Sequence, residues 1–232
     1  MTDYTLHYWP APFRGEFVRA VLAHVGADWS EAGSEKTARA MSLPVAEQQV
    51  PHMAPPMLVD HGADVALAQM PAILAYLGVK HGLMPEDSTR NALTHKIVAD
   101  ANDVLDEITQ DGGREMWDRE SWDAFEPRLR RWMAIFEETG ARHGLRAEGG
   151  TILGTAAPGL ADFVAFALWF TMTDKLPRLG GLLVDEAPAV AALVHRIAGL
   201  PAIAGLRAAS DRAYGTTYCG GQIEKSLRAV LD

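Results

Sequence analysis

One cysteine, Cys219, occurs in 232 residues. That scarcity excludes an internal disulfide, a C-x-x-C redox pair and a cysteine-based zinc site, and it suits a reducing compartment. Basic residues are also few: 21 Lys and Arg against 30 Asp and Glu leave a formal net charge of -9, with no Lys/Arg cluster. Nothing is available to neutralise a phosphate backbone, so no nucleic-acid partner is expected. Long hydrophobic runs are missing too. The most apolar stretch, "LADFVAFALWFTM", falls short of the roughly 20 residues that span a bilayer and contains Asp162, so it reads as a buried helix and no membrane partner is expected. "MTDYTLHYWP" has no basic segment followed by an apolar one, so it does not read as a secretory signal and a cytoplasmic location is expected. The eight histidines show no H-E-x-x-H or similar spacing, and no metal is expected. "GGTILG" is not followed by Gly-Lys-Ser/Thr, which excludes a phosphate loop of that type.

Periodicity divides what is present into two regimes. "YTLHYW" alternates like a strand, and Phe17, Val18, Val21, Leu22 and Val25 then recur at helical spacing until Gly26 stops the helix. "DWSEA" reads as a second strand, residues 33 to 50 are weakly patterned, and "PPMLVD" and "VALA" read as strands joined by the turn "HGAD". Another helix begins near Pro71, with Ile73, Leu74 and Leu77 on one face. "HGLMPEDST" reads as a linker, and helical patterns follow over 89 to 111, 121 to 143, 160 to 174 and 187 to 212. The expected organisation is an α/β domain over 1–80 in the order βαβαββα, a linker over 81–88 and an all-helical domain over 89–232.

Four stretches in this order, "YWPAPFRGE", "APPMLVD", "DVALAQMPAILAYLG" and "ILGTAAPGLADFVAF", resemble the cytosolic glutathione transferases over nearly the whole chain, in a tyrosine-type, bacterial-like form. The resemblance implies a thioredoxin-like N-terminal domain that binds glutathione as co-substrate, a helical domain that supplies the second-substrate pocket, a homodimer and a role in detoxification. It places Tyr8 at the catalytic position and Arg14-Gly15 at the opening of the first helix. Trp9, Arg14, Pro55, Pro56, Gln69 and Met70 fall on the glutathione side, with Pro56 as the cis-proline. As aromatic residues, Phe13, Tyr214 and Tyr218 are expected on the second-substrate side, the two tyrosines as a mobile tail over the pocket; core packing of Phe13 and solvent-facing tyrosines are the alternatives. Gly159 and Asp162 match the family's capping box. Cys219 lies far along the sequence from the catalytic position and is read as incidental.

Chemistry gives these positions a purpose. A cysteine thiol with a reference pKa of about 8.5 is mostly protonated at neutral pH, and a fixed hydroxyl donor favours the thiolate by bonding to the charged form. A phenol at the end of a strand, ahead of a turn, is placed to do this; packing alone also accounts for an aromatic residue there. Two residues depart from the family pattern. Before the cis-proline the family offers a backbone N–H and C=O to the ligand, and Pro55 has no N–H. Where Met70 stands the family has Ser or Thr, a cap and hydroxyl donor for the γ-glutamyl carboxylate, and methionine supplies neither.

The expected function is conjugation of the glutathione thiolate to an apolar small-molecule electrophile, with Tyr8 stabilising the thiolate. The alternative is a non-catalytic or weakly catalytic protein on the same scaffold that binds apolar ligands or a partner, which Pro55 and Met70 favour. A glutathione-dependent isomerase or thiol reductase fits less well, because such relatives mostly carry Ser or Cys where this chain has Tyr8.

Overall fold

The computed structural model describes residues 2–232; Met1, the first residue of the domain expected over 1–80, lies outside the described residues. In β1 (Tyr4–His7) the alternating residues Tyr4 and Leu6 are buried while Thr5 and His7 are partly exposed, as a strand with one covered face requires. Helix α1 (Phe13–His24) buries Phe17, Val18, Val21 and Leu22, and the chain leaves it through Gly26 at φ +67. Next come β2 (Trp29–Glu31), α2 (Ser34–Ser42), β3 (Met57–Asp60), β4 (Val65–Ala68) and α3 (Met70–Lys80). The sheet order is β2-β1-β3-β4, with β1 parallel to β2 and antiparallel to β3, and β3 antiparallel to β4. This is the expected βαβαββα arrangement. The faint pattern over 33 to 50 has a physical cause: α2 buries only Thr37, so its sequence carries no apolar stripe.

The second part is helical, as expected. Helix α4 (Ser88–Ile108) starts at Asp87, whose carboxylate accepts from the Arg90 N–H at 2.8 Å. After it come α5 (Gln110–Gly113), α6 (Arg119–Arg142), α7 (Leu160–Ala165), a π-helical turn over Phe166–Phe170, α8 (Thr171–Lys175), α9 (Arg178–Glu186), α10 (Pro188–Ala198), α11 (Pro201–Tyr214) and α12 (Gly221–Leu231). Every residue from 160 to 172 is buried, which explains why "LADFVAFALWFTM" is apolar on all sides. Asp162 reaches back to the Gly159 N–H at 2.9 Å and also accepts from the Ile152 N–H at 2.8 Å, tying the preceding loop to this helix.

Two expectations about the helices need correction. The segment read as one helix over 187 to 212 is broken at Gly199-Leu200, because Pro201 opens α11 and cannot continue α10. The chain after residue 214 is not a mobile tail: α12 packs through Leu227, Val230 and Leu231, and Tyr218 is buried. Helix α1 touches α3 on one side and α7, the π-helical turn and α11 on the other, so one hydrophobic core runs through both parts. No single helix among the described residues is long and apolar enough to cross a membrane.

Candidate functional site

Between the two parts lies a cavity of about 480 Å³. From the first part it is lined by Tyr8, Trp9, Phe13, Arg14, Ala54, Pro55, Pro56, Gln69 and Met70, which brings together every site residue expected there. Tyr8 sits one residue past β1, where the strand ends and the turn into α1 begins. Its ring rests against α1 because residue 15 is glycine: a Cβ there would lie 2.5 Å from Tyr8 Cδ1 and 2.9 Å from Arg19 Nη1. The Arg14 backbone N–H donates to the phenol oxygen at 3.1 Å, so the phenol's own proton stays available for a ligand. Burial pushes the Tyr8 pKa up to about 12 against the opposing pull of Arg14 and Arg19, so the phenol is a neutral donor at ordinary pH.

Arg19 braces this arrangement from below. It is buried, donates to the Ala11 and Pro12 carbonyls at 3.0 and 3.3 Å, and pairs with Glu31 at 2.8 Å and Glu16 at 3.3 Å. Its guanidinium lies between the rings of Tyr8 and Tyr214, 5.8 and 5.1 Å from their centroids. Tyr214 therefore packs on Arg19 and is not in the cavity wall, a correction to its expected place in the second-substrate pocket. Tyr218 is corrected likewise: it is fully buried behind Phe13, edge-on with centroids 5.2 Å apart, and does not line the cavity.

On the ligand-binding side, the Pro55-Pro56 bond is cis, as the resemblance implied. Met70, expected as the helix cap, is the first residue inside α3; the cap is Gln69, held at φ +71, an uncommon conformation for a non-glycine residue. The Met70 side chain is 1% exposed, so it serves the core as well as bordering the cavity. The start of α3, at Gln69 and Met70, thus borders the cavity.

The opposite wall comes from the helical part and was not foreseen: Asn102 and Asp106 of α4, Thr109 at its C-terminal cap, Gly112 of α5, Cys219 just ahead of α12 and Ile223 within it. Cys219 is thus close in space to Tyr8 despite its distance in sequence. Burial, with Glu224 nearby, pushes its thiol up to about 12, so it stays protonated. Glu224 places it: one carboxylate oxygen accepts from the N–H groups of Tyr218, Cys219 and Gly220 at 3.0, 3.0 and 2.6 Å. A Glu four residues after a glycine-flanked turn was the one sequence signal for this wall. No group of three or more His, Cys, Asp or Glu side chains that could hold a metal ion occurs among the described residues.

A four-stranded mixed sheet with its helices, joined to a helical part, defines the two-part thioredoxin-like class. Residues 93–230 match the family described as glutathione S-transferase, C-terminal domain, and the chain belongs to that family. Among solved structures it is similar to the Pi-class glutathione S-transferase of Onchocerca volvulus, at 20% identity and a TM-score of 0.72, covering 91% of this chain and 95% of that one. A Nu-class enzyme from Haemonchus contortus gives 21% identity, a TM-score of 0.69 and coverage of 90% and 97%. Ure2p in complex with glutathione gives 19%, 0.69, and 88% and 97%. These likenesses establish the fold. No curated protein matches the chain by sequence.

Proposed function

We propose that the protein is a glutathione transferase in which Tyr8 stabilises the glutathione thiolate for attack on an electrophile. The observation that carries this reading is the Tyr8 phenol, whose oxygen is occupied by the Arg14 N–H while its proton remains free at the cavity. Glutathione would lie along Trp9, Pro55, Pro56, Gln69 and Met70, its γ-glutamyl carboxylate at the positive end of α3. The thiol proton leaves to solvent, the phenol donates to the sulfur, and the thiolate attacks an electrophile whose apolar body rests on Phe13 and Ile223. Proximity and the lowered thiol pKa supply the rate. Membership of the family and a structural neighbour that holds glutathione support this reading, together with a cytoplasmic homodimer engaged in detoxification.

A second reading, a binding protein of little or no turnover, is favoured by two positions: Pro55 supplies no N–H to a ligand, and Met70 no hydroxyl. Calorimetric titration with glutathione, followed by the ultraviolet thiolate band of the complex across pH, separates the two. Binding with a thiolate band at neutral pH supports the enzyme. No binding at millimolar glutathione supports the second reading. Light scattering at micromolar concentration tests the dimer, and a mass of one chain contradicts it.

A further inference from the structure

The cavity lining combines polar and apolar side chains. On α4, Asn102 and Asp106 are spaced i and i+4 and share one helix face, Thr109 caps the end of the helix, and all three border the cavity. Thr109 commits its only proton to backbone carbonyls, donating to Leu105 at 2.8 Å and Asp106 at 3.1 Å, which leaves lone pairs alone for a ligand. Asp106 is acceptor-only when ionised, and its side chain is 53% exposed. Its cationic neighbour is Arg14, whose Nη2 stands 3.8 Å from Oδ1, too far for a direct hydrogen bond. Next along the helix, burial and the carboxylates of Asp100, Glu107 and Asp106 hold the Asp103 carboxyl above its ordinary range against the pull of Arg128, while Asp100 and Glu107 are themselves paired with Lys96 and Arg128. The same cavity also offers apolar surface from Phe13 and Ile223 and the protonated thiol of Cys219.

A cavity that combines the Asp106 carboxylate and the Thr109 lone pairs with apolar surface selects for a particular kind of molecule. A ligand donor placed at Asp106 gains a charge-assisted hydrogen bond, whereas a ligand carboxylate there meets like charge and lone pairs. We propose that the second substrate is an electrophile with an apolar body and a hydrogen-bond-donating substituent, neutral or cationic, that points at Asp106 and Thr109, and that anionic electrophiles are rejected. This inference rests on the glutathione-transferase reading of the cavity and adds to it the class of the second substrate. Asp106 acts here as a specificity residue, distant from the bond that forms.

Benzyl chloride and its para-hydroxymethyl and para-carboxymethyl derivatives test the proposal, since the methylene groups insulate the reacting carbon from the substituents. In each case glutathione sulfur forms a bond to the benzylic carbon, chloride leaves with the electron pair of the C–Cl bond, and the thiol proton passes to solvent. After correction for the uncatalysed rates, kcat/KM is expected to fall in the order hydroxymethyl, parent, carboxymethyl, with the first and last separated by about tenfold or more. In Asp106→Asn, whose circular dichroism and melting curve are recorded alongside, the separation is expected to shrink several-fold. Equal kcat/KM for the three substrates in the wild-type protein, with glutathione binding confirmed by calorimetry, overturns this proposal and leaves the transferase reading standing. A separation undiminished in folded Asp106→Asn overturns the assignment to Asp106. Absence of glutathione binding overturns the transferase reading and this proposal with it.

Discussion

The backbone N–H of Arg14 donates to the phenol oxygen of Tyr8 at 3.1 Å, so the first turn of α1 orients the group at the end of β1. The bond uses a lone pair of the phenol and spares its proton. Tyr8→Phe removes that proton while keeping the ring that packs on Gly15. Turnover with a model electrophile should drop by about 10²–10³, the roughly 2.7–4 kcal/mol that one donor contributes in an oxyanion hole, with glutathione affinity by calorimetry changed little. Unchanged turnover would remove Tyr8 from the mechanism.

Gly15→Ala sets propensity against geometry. Alanine inside a helix is favoured over glycine by about 1 kcal/mol, yet the new Cβ would stand 2.5 Å from the Tyr8 ring and 2.9 Å from Arg19. Both neighbours must shift, and both belong to the brace that positions the phenol. The expected result is a fall in kcat larger than any fall in melting temperature. A variant more stable than wild type with full activity would mean that the ring has room to move.

Serine at position 70 would, on sequence grounds, restore the family's hydroxyl and tighten glutathione binding. The fully buried Met70 side chain changes the expected balance. Truncating it leaves a hole in the core beneath α3, and losses of about 2–5 kcal/mol are typical of such deletions. Met70→Ser is therefore expected to lower the urea midpoint markedly, and no gain in affinity is expected, since the cap is Gln69 and not Met70. A midpoint equal to wild type contradicts the burial argument.

Alkaline pH offers a test that needs no substrate. Burial raises the Tyr8 pKa from 10.0 in the unfolded chain to about 12, and the Cys219 thiol from 9.0 to about 12. Tyr218 is raised too, again by burial. The folded state holds these protons more tightly than the unfolded one. Their stabilising contribution is thus complete below about pH 9 and is lost as pH rises through about 12. The denaturation midpoint should decline across that window, and less steeply in Tyr8→Phe. A flat midpoint would show that these groups are hydrated. The pH–rate profile should likewise show no falling limb from Tyr8 below about pH 10.

The first half of the site was legible because its residues are sequence neighbours: Tyr8 to Gly15, Pro55-Pro56 and Gln69-Met70 are short motifs whose order alone implies a fold. The α4 wall was not legible, since a polar stripe at Asn102, Asp106 and Thr109 reads the same whether it faces solvent or a cavity. Tyr214 and Tyr218 were placed by their aromatic character, but tertiary packing assigns one to Arg19 and the other to the core behind Phe13. The pairing of β3 with β4 followed from two short apolar runs joined by the "HGAD" turn, whereas α2 left little trace because it buries a single residue.

The three-pronged grip of Glu224 on residues 218–220 bears on how the protein is made. Tyr8 and Ile223 line one cavity yet come from opposite ends of the chain. On a translating ribosome the strands of the sheet are all available once β4 has emerged. The far side of α1, which α11 covers, and Phe13, which Tyr218 covers, must wait until residues 201 to 218 have been synthesised. Closure of the pocket is accordingly a late, long-range event. Until it occurs, the nascent chain presents an uncovered apolar surface to the crowded space around the ribosome, and this is the interval in which chaperone capture competes with aggregation.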